Sequence, residues 1–85
     1  MLEVRLAKQA VKFLRSLPED YRGAVKVRLR QLEQNHFPHG ALQLKGHESC
    51  FRIRVGPFRI QYYFMEKENV VLVYKISRRD ETTYK

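Results

Sequence analysis

The sequence has one cysteine, Cys50, and only nine acidic residues against seventeen Lys and Arg, giving a formal net charge of +8 over 85 residues. A lone cysteine excludes an internal disulfide and fits a reducing cytoplasm. No apolar run is long enough to cross a bilayer, and MLEVRLAK lacks the uninterrupted apolar core of a signal peptide, so no membrane role is expected. Walker-type loops, glycine-rich dinucleotide loops and nucleophile elbows are missing. His36 and His39 lie close together, but no second ligand pair stands at a zinc-like spacing, so no metal and no cofactor are expected. Cys50 reads as a small residue packed at a strand start. The shortage of acid leaves a basic surface suited to nucleic acid or to an acidic protein.

What the chain does have is centred on Cys50 to Tyr63, CFRIRVGPFRIQYY. Phe51, Ile53 and Val55 alternate with Arg52 and Arg54, and Phe58, Ile60 and Tyr62 alternate with Arg59 and Gln61. Successive side chains of a strand point to opposite faces, so each run has one apolar and one polar face. With Gly56-Pro57 as the central pair of a type II′ turn, Val55 pairs with Phe58, Ile53 with Ile60, Arg54 with Arg59 and Arg52 with Gln61. Like charges facing each other across a ladder are unfavourable, so three arginines on one face suggest a surface kept for an anionic partner.

Around this hairpin, Leu2, Val4 and Leu6 predict a first strand. Ala7, Ala10, Val11, Leu14 and Leu17 recur at helical spacing. Ser16 and Glu19 form a capping-box pattern with Pro18 between them, predicting a second helix from about Pro18 to Gln34. Its buried stripe is Tyr21, Val25, Leu29 and Leu32. Arg22, Lys26 and Arg30 make an exposed row that reads as a solvated face. Ala41 to Lys45 offers a short extended piece. Val70 to Ile76 is a nearly continuous apolar run, as in a central strand covered on both faces, and Ser77 to Lys85 is a polar tail carrying Arg78, Arg79 and Tyr84. Together these predict one α+β domain over residues 1–85: strand, helix, helix, then a three-stranded antiparallel meander with both helices on one sheet face.

Arg52, Arg54 and Arg59 present planar forks that match phosphate, and Tyr63 and Tyr84 offer rings for an unpaired base. From these residues alone a domain contacting RNA is plausible, and an acidic partner protein accounts for the charge equally well.

The string Leu44-Lys45-Gly46, then Cys50-Phe51-Arg52-Ile53-Arg54-Val55-Gly56, Phe58-Arg59-Ile60 and Tyr62, resembles the signature of the RelE/ParE toxin superfamily, and the similarity runs over essentially the whole chain. RelE-type members cut messenger RNA in the ribosomal A site without a metal; ParE-type members share the fold and poison DNA gyrase. The resemblance implies a toxin with an acidic, RelB-like antitoxin, acting on the ribosome and its message. It places Arg52 and Arg54 where the family commonly has lysines, Arg59 at the scissile phosphate, Arg78 at the leaving group and Tyr84 against the substrate base. Arg59, Arg78 and Tyr84 together favour the RelE-like, RNA-cutting branch. Guanidinium pKa values above ~12 make arginine a poor general base. His47 and Glu48, in the loop entering the strand, are therefore the candidates for that role, and Lys45 is a candidate for neutralising the RNA backbone.

Overall fold

A computed structural model describes residues 1–46 and 48–79. The elements are β1 (Glu3–Leu6), α1 (Lys8–Arg15), α2 (Glu19–Gln34), β2 (Leu42–Gln43), β3 (Cys50–Val55), β4 (Phe58–Met65) and β5 (Val70–Arg78). The five strands form one sheet in the order β1-β5-β4-β3-β2. β3, β4 and β5 are the expected antiparallel meander. β1 adds to it by pairing in parallel with β5, and the connection between them runs through both helices and then β2, β3 and β4.

The hairpin has the register that its alternation predicts: Val55 faces Phe58, Ile53 faces Ile60, Arg54 faces Arg59 and Arg52 faces Gln61. Gly56 makes the turn at φ +56°, where an L side chain would be strained, and Pro57 follows it. Phe51, Ile53, Phe58, Ile60 and Tyr62 are buried on the inner face of the sheet. Ala10, Leu14, Leu17, Val25, Leu29 and Leu32 from the helical layer close over them in one cluster. Leu2, Val4 and Leu6 seal its edge.

Three local readings change. Ser16 does not open α2 as half of a capping box: it is the C-cap of α1, where its hydroxyl donates to the Phe13 carbonyl at 2.6 Å. α2 starts behind Pro18 with no side-chain cap. Tyr21 is 39% exposed rather than part of the buried stripe, because it lies in the first turn and only its ring edge reaches Phe58, at 5.1 Å between centroids. The supposed polar tail begins later than expected, since Ser77 and Arg78 still belong to β5.

The largest difference lies inside β5. Tyr62 pairs with Val73 but Gln61 pairs with Lys75, so Tyr74 is an extra residue, a β-bulge. Tyr74 and Lys75 therefore both lie on the outer face, and the alternation is inverted beyond them. Ile76 turns inward opposite Ile60, Ser77 outward opposite Arg59, and Arg78 inward opposite Phe58. Val70 to Ile76 looked continuously apolar because Val71, Val73 and Ile76 serve the core on both sides of this break.

Candidate functional site

The outer face of the β3–β4 ribbon carries Arg52, Arg54 and Arg59, with Arg54 and Arg59 in direct cross-strand register. Arg79 joins them at the hairpin end. Its backbone N–H donates to the Pro57 carbonyl at 2.8 Å and its guanidinium donates to the Gly56 carbonyl at 3.3 Å. The mutual proximity is visible at Arg52, which is pushed below the ordinary guanidinium pKa first by desolvation and then by the positive charges of Arg59, Arg54 and Arg79. Among the described residues no carboxylate comes within ion-pair distance of Arg52, Arg54 or Arg59; the ion pair on this face is Arg5 with Glu3, at 2.7 Å on exposed β1.

Beneath the cluster, Arg59 Nε and Ser77 Oγ are both buried and lack a hydrogen-bond partner, although the two residues are opposite each other in the ladder. Two buried polar atoms without a partner, beneath a like-charged cross-strand pair, are a cost to the fold at this end of the ribbon.

The other sequence candidates fall elsewhere. Arg78 is exposed but stands on the helix side, its guanidinium carbon 5.3 Å above the ring of Phe58 in a cation–π contact. The Tyr74 bulge inverts this end of β5 and so separates Arg78 from the other arginines. Glu48 is exposed in the turn before β3, where its carbonyl accepts a hydrogen bond from Gln43 at 2.7 Å. It shares a shallow pocket with Lys45. It also borders a cleft of about 680 Å³ whose walls include Phe51, Phe64 and His36, the last stacked on Phe64 at 3.9 Å. From Cys50, where this turn ends, to Arg54 is ~13 Å of strand, so Lys45 and Glu48 sit at the opposite end of the ribbon from the Arg54–Arg59 pair. His47 and Tyr84 lie outside the described residues. Among the described residues no cluster of three or more His, Cys, Asp or Glu side chains could hold a metal ion. Among the same residues no helix is long and apolar enough to cross a membrane.

Two residues of the outer face were not singled out by composition. In the sequence Arg79 stands only as part of a polar tail, and Tyr74 only as part of an apolar run. Two successive arginines at a strand end signal that one of them must turn to each face, which could have drawn attention to Arg79. Nothing in the sequence marks Tyr74 as the bulged residue.

The family model described as the ParE toxin of the type II toxin–antitoxin system parDE matches residues 4–83. RelE1 of Methanocaldococcus jannaschii is 33% identical over 80 residues, covering 91% of this chain and 89% of its own. This chain belongs to the RelE/ParE toxin superfamily. Within it the toxin is RelE-like in fold. It superposes on the archaeal RelE–RelB complex from Pyrococcus horikoshii OT3 with a TM-score of 0.83 at 28% identity, over 92% of this chain and 94% of that one. The isolated RelE toxin of E. coli gives 0.82 at 20% identity, over 92% and 84% of the two chains, a likeness of fold alone. The toxin's arginine ribbon is thus built on a scaffold it shares with these proteins.

Proposed function

We propose that this toxin is a ribosome-dependent mRNA endoribonuclease, working in the cytoplasm and held in check by an acidic, RelB-like antitoxin. The observation that carries the reading is the Arg52–Arg54–Arg59 cluster, gathered on one sheet face with no carboxylate partner among the described residues. In the reaction the ribose 2′-oxygen attacks the adjacent phosphorus, the bond from phosphorus to the 5′-oxygen breaks, and a 2′,3′-cyclic phosphate and a 5′-hydroxyl end result. The 2′-hydroxyl proton leaves to a base and a proton reaches the 5′-oxygen.

Guanidinium forks at Arg54 and Arg59 would grip the phosphate oxygens and stabilise the charge that builds on them in the transition state. Arg52 adds positive charge beside them. None of the three would serve as the base, since even a depressed guanidinium stays protonated near neutrality. Glu48 and His47 remain the candidates for the base by their place in the loop entering β3, and Lys45 the weaker candidate for a backbone contact. Lys45 would then contact the strand entering or leaving the arginine cluster, whereas Glu48 would take the 2′-hydroxyl proton only with the β2–β3 turn brought up to the scissile phosphate. The resemblance assigns Tyr84 to the substrate base and Arg78 to the leaving group, though Arg78, over Phe58 on the opposite sheet face from Arg59, would reach that oxygen only by swinging round the end of β5.

Incubation with programmed ribosomes and mapping of message ends tests the reading. Ribosome-dependent cuts with 5′-hydroxyl ends, lost in Arg59→Ala, are expected. Glu48→Gln should lower the cutting rate well beyond any loss of binding if the carboxylate is the base, and Arg78→Ala tests the leaving-group role separately from Arg59.

A ParE-like gyrase inhibitor is the second reading, favoured by the family model whose description names ParE. Intact messages together with trapped gyrase–DNA complexes would establish it in place of the first.

A further inference from the structure

We infer that Tyr63 and Tyr74 form a base-stacking subsite, continuous with the arginine cluster, that holds an unpaired base of a single-stranded RNA whose phosphates lie along Arg52, Arg54 and Arg59. The inference rests on the RNA reading above and adds to it a place for a flanking nucleotide. The two rings are neighbours on the outer face, with centroids 4.6 Å apart and planes inclined at 34°. Tyr63 is 41% exposed, a large share for an aromatic ring on a sheet face. Tyr74 is half-buried behind it, with Gln61 on the neighbouring strand close by. Cys50, opposite Tyr63 in the ladder and 5% exposed, gives the pair a firm floor.

The bulge explains why this platform exists. In a regular strand Tyr74 and Lys75 would point to opposite faces; the inserted residue sets both on the outer one. Bulges recur beside functional sites because they re-aim side chains in this way. From the hairpin end downward the face therefore runs from Arg54 and Arg59, through Arg52, Gln61 and Lys75, to Tyr63 and Tyr74. Tyr63 lies four residues beyond Arg59 on β4, ~13 Å along the strand. A base seated on Tyr63 consequently belongs to a different nucleotide from the one whose phosphate Arg59 faces. Flat rings at the end of a file of cations are the arrangement by which single strands are held without strict sequence preference, since every base has a stacking face. An acidic polypeptide would use the cations but has no need of the rings.

The test measures binding of the full chain to a short fluorescein-labelled oligouridylate and to the same backbone with abasic positions, across a salt series. Tyr63→Ala should weaken oligouridylate binding about tenfold. It should leave the dependence on salt unchanged, because no phosphate contact is lost. Tyr63→Phe should bind like the native chain. The abasic strand should bind less tightly than the oligouridylate and be indifferent to Tyr63→Ala. Arg59→Ala should instead reduce the salt slope by about one. Equal binding by Tyr63→Ala and the native chain overturns the subsite, as does failure of the native chain to bind the oligouridylate at low salt, or binding of an acidic peptide in its place. Message cutting with Tyr63-independent binding would remove the subsite and leave the nuclease. Tyr63-dependent binding without any cutting would do the reverse.

Discussion

Arg54 and Arg59 stand directly opposite each other across the β3–β4 ladder, cation against cation. Such a pair costs stability, on the order of 0.2–1 kcal/mol against a neutral pair. Arg54→Gln should therefore raise the urea midpoint at low salt by an amount of this order. The gain should shrink as salt screens the native pair. Message cutting should fall in the same variant. A protein that is both less stable and fully active would show that the arginines serve the fold.

Two glycines should respond to alanine with opposite signs. Gly23 lies within α2, and a methyl group there would meet nothing within 4 Å. Gly23→Ala should stabilise by about 0.5–1 kcal/mol, because alanine loses less backbone freedom on entering a helix. Gly56 is equally open, yet its φ of +56° penalises any Cβ. Gly56→Ala should destabilise by about 1–2 kcal/mol. Thermal unfolding should separate the two, with roughly 4–8 °C in Tm for each kcal/mol in a domain of this size. A matching response at both sites would refute the conformational argument.

Tyr62 should make the toxin sensitive to alkali. It is wholly buried, and its hydroxyl donates to the His36 carbonyl at 2.7 Å. Desolvation pushes its pKa well above the ordinary value of 10.0, against a small opposing pull from Arg28. The folded state thus holds this proton more tightly than the unfolded chain does. Its contribution is complete below pH 10 and is lost as the pH rises from there toward the folded pKa, at up to ~1.4 kcal/mol per pH unit. Tyr62→Phe should flatten that decline, leaving the smaller part due to Tyr74, whose pKa burial also raises. At neutral pH the same change should cost on the order of 1 kcal/mol, since the His36 carbonyl loses its donor. Urea titrations between pH 7 and 11 would check both statements, and an undiminished alkaline slope in Tyr62→Phe would contradict them.

Ser77→Ala should not weaken the fold. The hydroxyl is buried and without a hydrogen-bond partner, so its removal should leave stability unchanged or raise it by on the order of 1 kcal/mol. A clear fall in the denaturation midpoint would mean that Oγ is satisfied in solution, for instance by an ordered water bridging it to Arg59 Nε.

The hairpin was legible in the sequence because two conditions coincided. A strict period of two fixed the faces, and Gly56-Pro57 fixed the turn, so every pair from Arg52–Gln61 to Val55–Phe58 followed. The helix stripe through Val25, Leu29 and Leu32 was legible for the equivalent reason at a period of 3.6. Arg78 was not. Its side depends on the extra residue at Tyr74, and a bulge is settled by packing between strands distant in sequence rather than by local preference. Ser16 misled because a residue that can begin a helix can also end one, and Pro18 took the start of α2. The parallel pairing of β1 with β5 is likewise a tertiary decision, since Leu2, Val4 and Leu6 mark a strand but not its neighbour.

That parallel pairing bears on when the poison can arm itself. β1 is made ahead of the other strands and has no companion until β5 is made, and β5 is the plank between β1 and β4 on which the rest of the floor is nailed. Contacts so distant in sequence form slowly. The polybasic ribbon of β3 and β4 is therefore synthesised before the strand that joins it to β1, so a nascent chain that stops short of β5 carries the cations without the sheet that orders them.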